Sequence, residues 1–148
     1  MNIRKPADYV TMFTTLDTLM AAQLPQMELY CEIGRVVSGR AEKGAAVAAS
    51  EYLQAAYPAA EGFSPRNVRR MRAFYAAYEE SPEIMRLAMH LGWTQNVAIL
   101  EGCGSNEERA WYIRATLRFG WKKAKLLAAI ESQAWLYSSL DEQAISCY

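Results

Sequence analysis

This sequence predicts an all-α fold, a compact bundle of about six helices with helix-turn-helix-like pairs. Three observations carry that reading. The long apolar stretches repeat at roughly 100° per residue, the period of a helix rather than of a strand. Serine, asparagine, glycine and proline fall between those stretches, at positions that cap or end helices. Five prolines and eight glycines in 148 residues are too few for a turn-rich all-β chain. A hydrophobic content of 52% against 22% charged residues marks a globular chain long enough to build a core.

The first helix is expected from about Pro6 to Ala22, with Val10, Phe13, Leu16 and Met20 at helical spacing. The second starts near Pro25 and runs to about Arg40, burying Leu29, Ile33 and Val36 or Val37. Gly34 inside it costs roughly 1 kcal/mol against alanine, which a close helix contact would offset. The third spans about Ala45 to Tyr57, and Pro58 ends it. The loop from Pro58 to Gly62 leads into a helix over Ser64–Tyr78, where Ser64 suits the cap and Pro65 the first position.

Ser81-Pro82 opens a short helix to about Leu91, and Gly92 breaks it. Thr94 is placed to cap a further short helix through Leu100. After the loop Gly102-Cys103-Gly104, Ser105 or Asn106 caps a helix to about Arg118, with Glu107 and Glu108 favourable in its first turn. Phe119-Gly120 makes a tight turn, and Trp121 to about Trp135 forms the last strong helix. The tail from Tyr137 to Tyr148 is weakly patterned. With no repeat, low-complexity stretch or linker, residues 1–148 are read as a single domain. Residues 45–57 with 64–78, and 106–118 with 121–135, each outline a helix-turn-helix, the first with a turn of about six residues.

Net charge is zero, so a basic surface can come only from segregation of charge. Segregation is present. Residues 62–78 hold Arg66, Arg69, Arg70 and Arg72 without an acid. Residues 109–125 hold Arg109, Arg114, Arg118, Lys122, Lys123 and Lys125, again without one. On the 64–78 helix, Val68, Met71, Phe74, Tyr75 and Tyr78 share one face and the four arginines are expected on the other. A helix with an apolar back and a cationic front can dock on a core and meet phosphates.

Catalytic chemistry finds little support. His90 is the single histidine, and Cys31, Cys103 and Cys147 are far apart, so neither zinc-ligand spacing nor a nucleophile with an adjacent base is seen. Nuclease chemistry needs acids and a lysine converging on a divalent metal, and no strand-like stretch supplies them. The helical acids Glu79, Glu80 and Glu83 read as a solvated helix end. No glycine loop is built to cradle a phosphate, so no cofactor and no metal are expected. The N-terminus lacks a signal-peptide core, no run is long enough to span a membrane, and three free thiols suit a reducing cytoplasm. Trp93, Trp111, Tyr112, Phe119 and Trp121 are expected in the core rather than stacked on bases, and Tyr30 and Ile33 are expected to be buried.

Several segments resemble a known family. Leu29-Tyr30-Cys31-Glu32-Ile33-Gly34-Arg35 resembles the L-Y-W-E-I-G-R motif of the YhcG-type family. Gly62-Phe63-Ser64-Pro65-Arg66-Asn67-Val68, with Met71-Arg72 and Phe74-Tyr75, resembles its G-F-S-x-R-N-L…M-R-x-F-Y motif. Trp93-Thr94 is similar to its W-S-H start, and Arg109, Trp111-Tyr112 and Gly120-Trp121 to its later E-R-x-x-Y…G-W motif. The order is the family's, over about Leu29 to Ile130. The chain departs from the pattern at Cys31, where an aromatic is usual, and at Asn96, where histidine is. The resemblance implies a helical region that precedes a PD-(D/E)xK nuclease, with this chain covering the helical region alone.

The reading that follows is a non-enzymatic module that binds or targets nucleic acid, DNA before RNA. Arg66, Arg69, Arg70 and Arg72 would contact phosphates, Asn67 a base edge, and Lys122, Lys123 and Lys125 would add backbone contacts. The alternative is an interaction or oligomerisation module that packs against a copy of itself or a nuclease subunit, without nucleic acid. No membrane partner is expected.

Overall fold

The structure, a computed structural model, describes residues 8–137. The regular elements among them are nine helices, without a strand: α1 (Val10–Ala21), α2 (Gln26–Ser38), α3 (Ala45–Ala56), α4 (Pro65–Tyr78), α5 (Pro82–Ala88), α6 (Trp93–Gly102), α7 (Asn106–Phe119), α8 (Lys123–Glu131) and α9 (Ala134–Tyr137). The expected start of the first helix at Pro6, the tail beyond Tyr137 and Cys147 lie outside the described residues.

The count exceeds six because the short helices α5 and α6 stand beside the longer ones and because the last long helix is two. It breaks at Gln133, which takes a left-handed φ of 56°. A hydroxyl from α7 stabilises the break: Tyr112 Oη donates to the Ala129 carbonyl (3.3 Å) and accepts from the Trp135 amide (3.4 Å). Ser132 Oγ also donates to the Ala129 carbonyl at 3.0 Å, whereas the Trp135 amide would otherwise be an orphan of the α9 start. The periodicity of residues 121–135 continues through the break, so the sequence pattern does not reveal it.

The chain forms two compact units, one ending at Tyr75 and the other beginning at Ala76, so the boundary falls within α4. In the first unit α1 packs on α2 and α3, and Met12, Leu16, Ile33, Val37, Leu53, Val68, Met71 and Phe74 are buried. Val10 is instead 66% exposed, and Leu29 is half-buried. Gly34 lies directly against the Met71 carbonyl, where any β-carbon would collide with backbone. That close crossing of α2 and α4 explains a glycine inside a helix. On the other side Asp17 accepts hydrogen bonds from Tyr52 and Tyr57, both 2.6 Å, tying α1 to α3 and its end.

In the second unit α6 packs on α7 and α8, and α5 on α7. Tyr78, Ile99, Tyr112, Ile113, Leu126 and Ala129 fill the interior. Gly102 lets the Ile130 side chain approach α6, since a β-carbon there would meet Ile130 Cγ2 at 2.9 Å. Asn96 is fully buried and donates to the carbonyls of Ala88 (2.9 Å) and Gly92 (3.1 Å), joining the end of α5 to the start of α6. The cap of α6 is Gly92 rather than Thr94, because Gln95 Oε1 reaches back to accept from the Gly92 amide at 2.8 Å.

Candidate nucleic-acid interface

Helix α4 begins as its sequence directs. Ser64 Oγ accepts from the Asn67 amide at 3.2 Å, and the Ser64 carbonyl takes the first helical bond from Val68. The entering loop is fixed by Gly62, whose φ of +93° excludes most side chains and whose Cα faces the Tyr30 hydroxyl. Ser50 Oγ donates to the Phe63 carbonyl at 2.6 Å. Val68, Met71, Phe74 and Tyr78 are buried, and Tyr75 is half-buried.

The polar face divides. Arg66 and Arg69 are exposed, and among the described residues neither side chain has a hydrogen-bond or ion-pair partner. Arg70 is half-exposed on the same side. Arg72 turns away from them. Its guanidinium donates to the carbonyls of Arg40 (2.6 Å) and Glu42 (3.2 Å), closing the α2–α3 loop. It lies one turn beyond buried Val68, so it emerges at the edge of the apolar stripe and its stem crosses to the loop. Asn67 is likewise engaged by its own fold. It sits one turn before buried Met71, and Nδ2 donates to the Gly62 carbonyl at 2.6 Å. The four-arginine face expected from sequence is therefore three arginines, and Asn67 holds the loop that leads into the helix.

In the second unit Lys122, Lys123 and Lys125 are all exposed. Lys122 is the N-cap of α8, without a side-chain cap, and no acid occupies the first turn. Helix α7 ends at Gly120, left-handed at φ 65° and ψ 35°, and three residues separate α7 from α8. The turn is held from α6, since Gln95 Nε2 donates to the Trp121 carbonyl at 2.7 Å. Gln95 is thus the residue that sets where the lysines begin, and the signal for it was a glutamine three positions after a helix-start glycine. Arg109, part of the same basic stretch, is spent internally. It donates to Asn106 Oδ1 (2.9 Å) and to the Cys103 carbonyl (3.0 Å), while Asn106 Nδ2 donates to the Ala77 carbonyl at 2.6 Å.

The aromatics fall largely where expected. Trp111 is 8% exposed, Trp121 6%, Tyr30 5%, and Tyr112 and Ile33 are fully buried, while Trp93 and Phe119 are half-buried. His90, Glu79, Glu80 and Glu83 are exposed. Burial pushes the Cys103 thiol up to about 12, so it is protonated at neutral pH. Among the described residues no three histidine, cysteine, aspartate or glutamate side chains gather to hold a metal, and no helix is long and apolar enough to cross a membrane.

Fold and surface together define an all-helical domain of paired helices that carries exposed cations on α4 and at the start of α8. The match of residues 14–137 to the model of the DUF1016 N-terminal domain assigns it further. The chain belongs to that family, the N-terminal domain of YhcG-type proteins. No curated protein and no solved structure matches it.

Proposed function

We propose that this domain binds nucleic acid, duplex DNA before RNA, through the exposed arginines of α4. One observation carries the reading: Arg66 and Arg69 stand exposed without a hydrogen-bond or ion-pair partner among the described residues, on a helix whose opposite face is buried in the core. Arg35 and Arg40, by contrast, pair with Glu32 and Glu42. Arg66, Arg69 and Arg70 supply phosphate contacts, and Lys122, Lys123 and Lys125 add others. Arg72 and Asn67 act by holding the arginine helix in place. The domain works as a binding or targeting module in the cytoplasm and leaves cleavage to a nuclease, so purified protein with magnesium or manganese should not nick DNA.

Titration of labelled duplex at several salt concentrations tests this. Each phosphate contact adds about 0.9 to the slope of log affinity against log salt. Changing Arg69 and Arg70 together to glutamine should flatten the slope by about two and weaken binding on all sequences. Glutamine has nearly the helix propensity of arginine, so melting should stay put. Absence of binding by the unchanged protein at low salt, or identical binding by the double variant, overturns the reading.

A second reading, self-association or docking on a nuclease subunit, draws on exposed Leu127, Leu136 and Tyr137 in the second unit. Sedimentation that shows a stable dimer insensitive to salt would favour it.

A further inference from the structure

We propose that the Tyr112 hydroxyl is a conformational latch. It holds residues 129–137 as two helices that meet at a left-handed turn, where their sequence favours one continuous helix. The device stands apart from nucleic-acid binding and uses none of the exposed cations.

The sequence of α8 and α9 suits an unbroken helix. Residues 123–137 contain neither proline nor glycine, and alanine, leucine, lysine, glutamate and glutamine, all good helix formers, fill most of the stretch. Leu126, Ile130, Gln133 and Tyr137 are four, three and four residues apart, a single line along one helix. Leu126 is buried and Ile130 half-buried. A helix that ran on would carry Gln133 and Tyr137 along the line that the core already covers.

The structure has the other form. Gln133 sits at φ 56°, a region that is costly for a residue with a β-carbon and that helix ends ordinarily give to glycine. Ala134 is fully buried, whereas Gln133, Leu136 and Tyr137 are exposed. The turn thus takes Ala134 into the core and leaves Tyr137 outside.

The bonds of a fully buried side chain account for this choice. Tyr112 Oη donates to the Ala129 carbonyl and accepts from the Trp135 amide. In a continuous helix the Ala129 carbonyl would take the Gln133 amide, and the Trp135 amide would turn to the Glu131 carbonyl. The Gln133 amide bonds instead to the Ile130 carbonyl at 3.0 Å, which leaves the Ala129 carbonyl to the hydroxyls of Tyr112 and Ser132. Tyr112 therefore engages two of the backbone groups that an unbroken helix would pair across this point. The exposure of Leu136 and Tyr137 follows the state of the latch.

Nuclear magnetic resonance on the full chain tests this. Hα–Hβ Overhauser contacts from Glu131 to Ala134 and from Ser132 to Trp135 span three residues of continuous helix and are lost at a left-handed turn. They should be absent from the unchanged protein and appear in Tyr112→Phe, which removes the hydroxyl and keeps the ring. Gln133→Gly in the otherwise unchanged chain should raise the melting temperature by about 2–4 °C, because glycine takes the left-handed turn without a steric penalty. Three results each overturn the latch: contacts already present in the unchanged protein, contacts still absent from a folded Tyr112→Phe, or no rise in the glycine melt. The last applies even where Tyr112→Phe does not fold.

Discussion

Helices α4 and α8 both start with cations and without an acid, yet they are secured in opposite ways. The start of α4 is held mainly by its own flanking residues: Ser64 caps it, Asn67 clamps Gly62, and Pro65 fits the first turn. The start of α8 has no cap of its own and depends on Gln95 from α6 and on the buried Trp121 ring. Local chemistry caps one cationic helix start, with Ser50 and Tyr30 supporting its loop, and tertiary packing alone holds the other. The contrast also shows what a cation at a helix start costs. It opposes the positive end of the helix dipole, a penalty of about 0.3–1 kcal/mol that a bound anion would relieve.

Breaking the packed side should have the largest effect. Trp121→Ala removes a core aromatic, which costs roughly 3–5 kcal/mol. Chemical denaturation should show that loss, and a loss below 1 kcal/mol would mean that the ring is not what positions the turn. Ser64→Ala should cost about 1 kcal/mol by the same measurement, the usual value of a lost cap. The two variants together ask whether the starts of α8 and α4 differ as described.

Smaller changes sharpen the comparison. Lys123→Glu places an acid in the first turn of α8 and should raise stability by about 0.3–1 kcal/mol. Affinity for duplex should fall at the same time. Unchanged or raised affinity would show that Lys123 makes no phosphate contact.

Away from either surface, Asp17 offers a pH test. The hydrogen bond from Tyr52, then that from Tyr57, hold its carboxyl below the usual carboxylate range, and Tyr57 is pushed up to about 12. A folded-state carboxylate with a lowered pKa stabilises above its unfolded value, about pH 4, and loses that contribution as pH falls through the folded value. Asp17→Asn should therefore flatten the decline of stability below about pH 4 and leave neutral binding unchanged. An acid limb as steep as that of the unchanged protein would remove Asp17 from the account.

Much of the fold was legible because helix caps and the 3.6-residue period are local signals. Ser64, Pro65, Ser105 and Pro82 mark real starts, and the apolar face of α4 is as the spacing placed it. What escaped was set at a distance. The Gln133 break answers to the Tyr112 hydroxyl, and the start of α6 to the reach of Gln95. The candidate surface follows the same rule. Spacing separates apolar from polar, but Arg72 and Asn67 lie at the margins of that division, and only the neighbouring loops decide where such side chains turn. The basic stretch ending at Lys122–Lys125 was visible as composition, whereas the bond from Gln95 that holds the turn before those lysines was not.

If α4 divides its arginines between binding and structure, as proposed, one pair of variants separates the two roles. Arg69→Gln and Arg72→Gln are compared for both duplex affinity against salt and stability against denaturant. The account predicts that Arg69→Gln flattens the salt slope by about 0.9 with stability unchanged. It predicts that Arg72→Gln costs about 1.5 kcal/mol, the low end for hydrogen bonds made by a charged group, with the slope unchanged. A flattened slope for Arg72→Gln together with lost stability for Arg69→Gln would contradict it.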